Sequence, residues 1–130
     1  MDAAVRHTPV IATNLPKPRG PYSSGVLFEG LLFVSGQGAV SPETEKLVGP
    51  DVESQTEQVL KNISSILQAA GSSLSHVIRC GVFLTDIADF PKMNAVYQRM
   101  FDGNRPARTT VQVAALPLPG LRVEIDAIAY

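Results

Sequence analysis

Arg105-Pro106-Ala107-Arg108-Thr109-Thr110-Val111-Gln112-Val113, followed by Val123-Glu124-Ile125-Asp126-Ala127-Ile128-Ala129-Tyr130, reads as two neighbouring strands that carry charge inside apolar surroundings. Side chains of an extended chain alternate between faces, so Arg108, Thr110 and Gln112 fall on one side and Thr109, Val111 and Val113 on the other. In the second segment Val123, Ile125, Ala127 and Ala129 separate in the same way from Glu124, Asp126 and Ile128. A hairpin of the two would set an arginine fork near a carboxylate on one polar face. The guanidinium offers five donors in a plane that matches a carboxylate, and it stays cationic at any working pH. A small acidic ligand suits that arrangement.

Upstream of this pair, Val77-Ile78-Arg79-Cys80-Gly81-Val82-Phe83-Leu84 is apolar on nearly both faces, as expected of a central strand. Val26-Leu27-Phe28 and Leu31-Leu32-Phe33-Val34 flank Glu29-Gly30, the spacing of a tight hairpin with a turn glycine. Residues 9–13 form a short strand candidate, the proline-punctuated segment 16–21 cannot be helical, and residues 41–50 carry turn types. Val52, Val59, Ile63, Ile66, Leu67 and Ala70 recur at helical spacing, with Asp51 and Glu53 at the start and Gly71 as a stop. Asp86 or Asp89 can cap a second helix that has Pro91 in its first turn, turns Met93, Tyr97, Met100 and Phe101 inward, and ends at Asp102-Gly103-Asn104. The order is β, ββ, α, β, α, ββ: an α+β domain spanning residues 1–130, with one mixed sheet of roughly six strands and two helices on one face.

Two helices cover only one face of such a sheet, yet Val77 to Leu84 and Leu31 to Val34 are apolar on both. The open face needs a partner, and a second copy of the chain is the simplest one, which places Arg108 and Glu124 beside a cleft between subunits.

The chain has 130 residues and a formal net charge of −1, with no run of Lys or Arg, so nucleic acid and anionic membrane surfaces are not expected partners. One cysteine, Cys80, excludes an internal disulfide and fits a reducing compartment; it shares a face with Ile78, Val82 and Leu84 and reads as a core thiol. No apolar run reaches membrane-spanning length and no secretion signal is visible, so a cytoplasmic location is expected. Two histidines, His7 and His76, and no Cys/His cluster leave no metal constellation.

Gly20-Pro21-Tyr22-Ser23-Ser24-Gly25, Val34-Ser35-Gly36-Gln37, Met93-Asn94-Ala95-Val96-Tyr97, Pro106 to Val111 and Val123 to Ala129, in this order and spacing, resemble the RidA (YjgF) family of small imine and enamine deaminases. The resemblance covers nearly the whole chain. It implies a chorismate mutase-like fold and a homotrimer whose sheets form a central barrel, with the helices outside and three clefts between subunits. It also implies that Arg108 binds a substrate carboxylate and that Tyr22, Ser35, Gly36, Asn94 and Glu124 line the cleft. Thr110 stands where archetypal members often carry Cys. The implied reaction is hydrolysis of a small 2-imino acid, such as 2-iminopropanoate or 2-iminobutanoate, to the 2-oxo acid and ammonia, with no metal or organic cofactor. Other members are linked to RNA cleavage and to non-enzymatic ligand binding.

Each residue also has a plainer reading. Arg108 could serve only as a salt-bridge partner of Glu124 or Asp126. Glu124 would hold and polarise the attacking water, or balance the arginine, and both roles are compatible. Asp126 is the spare carboxylate and Arg105 a surface charge. Tyr22 could donate its hydroxyl or cover a core edge, Ser35-Gly36 could form an ordinary turn, and Asn94 could cap a neighbouring backbone group.

Overall fold

Asp51 starts the longer helix, α1 (Val52–Ala69), by accepting a hydrogen bond from the Ser54 N–H at 2.8 Å. Its apolar stripe is fully enclosed: Val59, Leu60, Ile63, Ile66 and Leu67 have no solvent exposure. Each such side chain contributes about 1.5–3 kcal/mol on burial, so this stripe is the main hold on the sheet. The computed structural model describes residues 4–11, 13–15 and 17–130. Within it the strands are β1 (Thr8–Pro9), β2 (Gly25–Phe28), β3 (Leu31–Gln37), β4 (Val77–Leu84), β5 (Ala107–Gln112) and β6 (Val123–Ala129). The second helix, α2, spans Phe90–Phe101. Ala12 of the expected strand over residues 9–13 and Pro16 of the proline loop lie outside the described residues.

The β2–β3 hairpin turns on Glu29 and Gly30, both at positive φ (50° and 81°), which matches the right-handed twist of the flanking strands. The six strands run in the order β1-β2-β3-β6-β4-β5, with β4 and β5 parallel and the other neighbours antiparallel. The mixed sheet with both helices on one face is therefore the expected one. Among the described residues no helix is long and apolar enough to cross a membrane.

One expectation fails. β5 and β6 are not a hairpin, because β4 lies between them and pairs with both. The reason is in β4: a strand apolar on both faces gains most from a neighbour on each side, and its connection through α2 to β5 is a crossover that makes the pair parallel. Register then fixes the faces. Cys80 pairs with Arg108 and Ala127, so Arg108 and Thr110 share the helix-covered side with Cys80, Val82 and Ile125. Phe83 pairs with Glu124, and Gly81 with Asp126, so both carboxylates belong to the opposite, uncovered side. The single polar face is replaced by two.

Two smaller differences follow from local geometry. A register shift between Val77 and Arg79 turns Ile78 out of the core, leaving it 46% exposed, while Cys80 remains fully buried with Val82 and Leu84. Asp89 occupies the position before α2 without capping it; its carboxylate is held by Arg122, which donates from Nε at 2.9 Å and Nη2 at 3.1 Å, and Asp86 caps the preceding short turn through Ala88 N–H. Asp102 and Gly103, at φ 46° and 96°, end the helix where expected.

The uncovered face carries exposed apolar side chains: Leu31, Phe33 and Val111 are 36–41% accessible, and Phe83 and Ile128 are partly so.

Candidate active site

The predicted site residues gather in two groups. The first lies between α2 and edge strand β5. Arg108 donates from Nη2 to Asn94 Oδ1 at 2.7 Å, and its guanidinium carbon sits 4.7 Å from the Tyr97 ring centre and 5.4 Å from that of Phe90. Phe90, Asn94 and Tyr97 are spaced i, i+4, i+7 and so form one stripe of α2 above the arginine. Thr110, two residues beyond Arg108, faces the same way. No ion pair joins Arg108 to Glu124, Asp126 or any other carboxylate among the described residues. The plain salt-bridge reading therefore has no support within one chain. What remains is a half-buried guanidinium with no carboxylate partner among the described residues and its plane already set by an amide and two rings.

The second group surrounds a cleft of about 430 Å3 at the far end of β3, with Tyr22, Gly36, Leu121 and Glu124 in its lining. Here β3 carries a bulge: Val34 pairs with Ala127 and Gln37 with Ile125, so Ser35 and Gly36 together face Asp126. Gly36 is required by crowding. A Cβ there would come within 2.9 Å of Glu124 Oε2, so the missing side chain is the space the carboxylate occupies. The Ser35 hydroxyl donates to the Ser23 carbonyl at 2.6 Å and ties the bulge to the segment that carries Tyr22. The Tyr22 hydroxyl accepts from Arg19 N–H at 3.2 Å, and its ring is half exposed over the cleft. Burial, and then the neighbouring Asp126, push the Glu124 carboxyl above the ordinary carboxylate range. That suits a proton acceptor. Asp126 itself accepts the Gly81 N–H at 2.7 Å, a bond that occupies it structurally.

Two buried amides, not foreseen as site residues, tie loops to α1, and one of them, Asn62, holds a wall of this cleft. Asn62 donates to the carbonyls of Gly38 at 3.3 Å and Val40 at 2.9 Å. Gln55 donates to Gly49 and Gly120 and accepts from Arg122 N–H at 2.7 Å. Both lie on the apolar stripe of α1, where a polar residue is the signal of such a link.

Replacing Gly36 by alanine is expected to leave the fold intact while displacing the Glu124 carboxylate. Because a shift near 1 Å can cost about 10²-fold in rate, kcat should fall by at least about tenfold with an unchanged circular dichroism spectrum.

A mixed sheet of this order, covered by two helices on one side and carrying an arginine poised at its edge, defines a chorismate mutase-like α+β protein. The profile of the family described as endoribonuclease L-PSP matches residues 12–130. A rat 2-iminobutanoate/2-iminopropanoate deaminase is 45% identical over 121 residues, covering 92% of this chain and 88% of that protein. A protein of unknown function from the conserved Rid family of Yersinia pestis superposes with a TM-score of 0.90 at 41% identity, over 95% of this chain and 98% of that one. Escherichia coli TdcF, solved with bound serine, gives 0.88 at 38% identity over 94% and 97%. The chain belongs to the Rid (RidA/YjgF) family.

Proposed function

We propose that the protein hydrolyses small 2-imino acids to 2-oxo acids and ammonia, at clefts between the subunits of a homotrimer. The observation that carries this reading is Arg108: a guanidinium fixed by Asn94, Tyr97 and Phe90, with no carboxylate partner among the described residues. The rat relative's name and the serine bound to Escherichia coli TdcF support a ligand of amino-acid size with a carboxylate. Arg108 takes that carboxylate and Asn94 keeps the fork oriented. Glu124 accepts a proton from water as the water oxygen bonds to C2, giving a tetrahedral carbinolamine. Glu124 returns that proton to the imine nitrogen to complete the carbinolamine, and transfer of the hydroxyl proton to the same nitrogen then breaks the C–N bond, so the carbonyl forms and ammonia leaves. Water and proton transfer alone balance this reaction. Tyr22, the Gly36 backbone and Thr110 shape the space around the reacting carbon.

Arg108 and Glu124 occupy opposite faces; an intervening strand separates them by about 10 Å across the sheet, and their partners Cys80 and Phe83 set them about a further 10 Å apart along it. A site containing both therefore takes the arginine from one copy and the carboxylate from the next. The exposed apolar face supplies the surface on which such copies would associate.

The test couples threonine dehydratase, which releases 2-iminobutanoate, to appearance of the 2-oxo acid. Catalytic amounts of the protein are expected to shorten the imine's lifetime, and light scattering is expected to give three times the chain mass. An unchanged lifetime with retained 2-oxo acid binding would favour a non-enzymatic ligand-binding trimer. Cleavage of RNA by purified protein, lost in Arg108→Ala, would favour a ribonuclease. A stable monomer would remove the shared cleft.

A further inference from the structure

Tyr97 is 7% exposed, and its buried hydroxyl lies beside the Cys80 thiol and the Arg108 guanidinium without forming a hydrogen bond of good geometry to any of the described residues. The neighbouring Cys80 thiol is fully buried. Burial pushes the phenol well above its usual range, so it remains a neutral O–H at any working pH. A buried donor without well-formed geometry gains little, so the hydroxyl does not by itself give a strong reason for tyrosine at this place. The ring does. Its face lies 4.7 Å from the Arg108 guanidinium carbon, and its other neighbour is Phe101, at 4.5 Å between ring centres. Phe101 is itself 3% exposed, so the Tyr97 ring is backed by core and cannot swing away.

We infer that Tyr97 is a positioning residue for the Arg108 clamp, acting through the negative face of its ring and not through its hydroxyl. This inference rests on the carboxylate-binding reading of Arg108. In that reading Asn94 fixes one end of the fork by a hydrogen bond, and the Tyr97 ring face fixes its plane by the attraction between a cation and an aromatic quadrupole, which is stronger where water is excluded. The second ring, Phe90, is 37% exposed and contributes less. The remaining donors are thereby aimed at the ligand before it arrives, and less ordering is needed when it binds.

The experiment measures pyruvate binding by calorimetry, with folding followed by circular dichroism and thermal melting. Tyr97→Phe keeps the ring and removes the poorly aligned hydroxyl, so affinity should stay within about twofold and the melting temperature should hold or rise. Tyr97→Met, similar in bulk but without a ring, should bind about tenfold more weakly. Where Tyr97→Met does not fold, phenylalanines with one and then three ring fluorines at position 97 change the quadrupole at nearly constant shape. Affinity should fall stepwise along that series. Equal affinity across it, or wild-type affinity in Tyr97→Met, overturns the inference. Wild-type affinity in Arg108→Ala overturns the carboxylate reading instead. A binding loss in Tyr97→Phe as large as in Tyr97→Met would assign the role to the hydroxyl and also overturn the inference.

Discussion

Arg108→Ala is expected to lower kcat/KM for 2-imino acids by about 10²- to 10⁴-fold, the equivalent of two charge-assisted hydrogen bonds at about 1.5–3 kcal/mol each. The loss should appear first in the affinity for 2-oxo acid product, measured by calorimetry. Stability should change little, because among the described residues the side chain has no carboxylate partner to orphan and β5 is an edge strand. Arg108→Lys retains the charge without the planar fork, so it should fall between the two. The same variant tests where the site lies. If each cleft takes its arginine and its carboxylate from different copies, then Arg108→Ala and Glu124→Gln chains, unfolded and reassembled together, should regain activity in about a quarter of clefts. Two inactive parents that stay inactive after confirmed mixing would place both groups in one copy and remove the inter-subunit cleft.

How much of this was written in the sequence depends on the range of the interaction concerned. The β2–β3 hairpin needed only Glu29-Gly30, α1 only its stripe and Asp51, and the central position of β4 only its two apolar faces. These are local or periodic signals. The pairing of β5 with β4 was not local. Its reading as a hairpin with β6 assumed that chain neighbours are sheet neighbours, although the same sequence held a strand that needed two partners. Arg108 was identified as an unusual charge, but its surroundings were misassigned with it. Its partners are Asn94, Tyr97 and Phe90 from α2, not the carboxylates of β6. Gly36 suits a close approach of backbone to a ligand; the structure adds that it makes room for Glu124, a contact that no spacing rule encodes. Gln55 and Asn62 were visible as polar residues on an apolar stripe, but the carbonyls they hold belong to loops distant in sequence.

Glu124→Gln is expected to reduce kcat by about 10²- to 10⁴-fold, the usual scale for removing a general base. It should at the same time raise the melting temperature. The two effects share a cause. Burial and the nearby Asp126 disfavour the ionised carboxylate, so the folded protein binds this proton more readily than the unfolded chain does. The stability that Glu124 contributes is therefore present below the ordinary carboxylate pKa and lost as pH rises through its raised value in the fold. Activity runs the other way: kcat/KM should fall as pH drops through that raised value, placing the acid limb above the ordinary 4.5. Asp126→Asn separates the causes. An asparagine can still accept the Gly81 N–H, so the fold is kept, while loss of the neighbouring charge should move the acid limb to lower pH with little change in the plateau rate. An acid limb that stays in place in Asp126→Asn and also persists in Glu124→Gln would mean that another group titrates, and Glu124 would lose its role as the base.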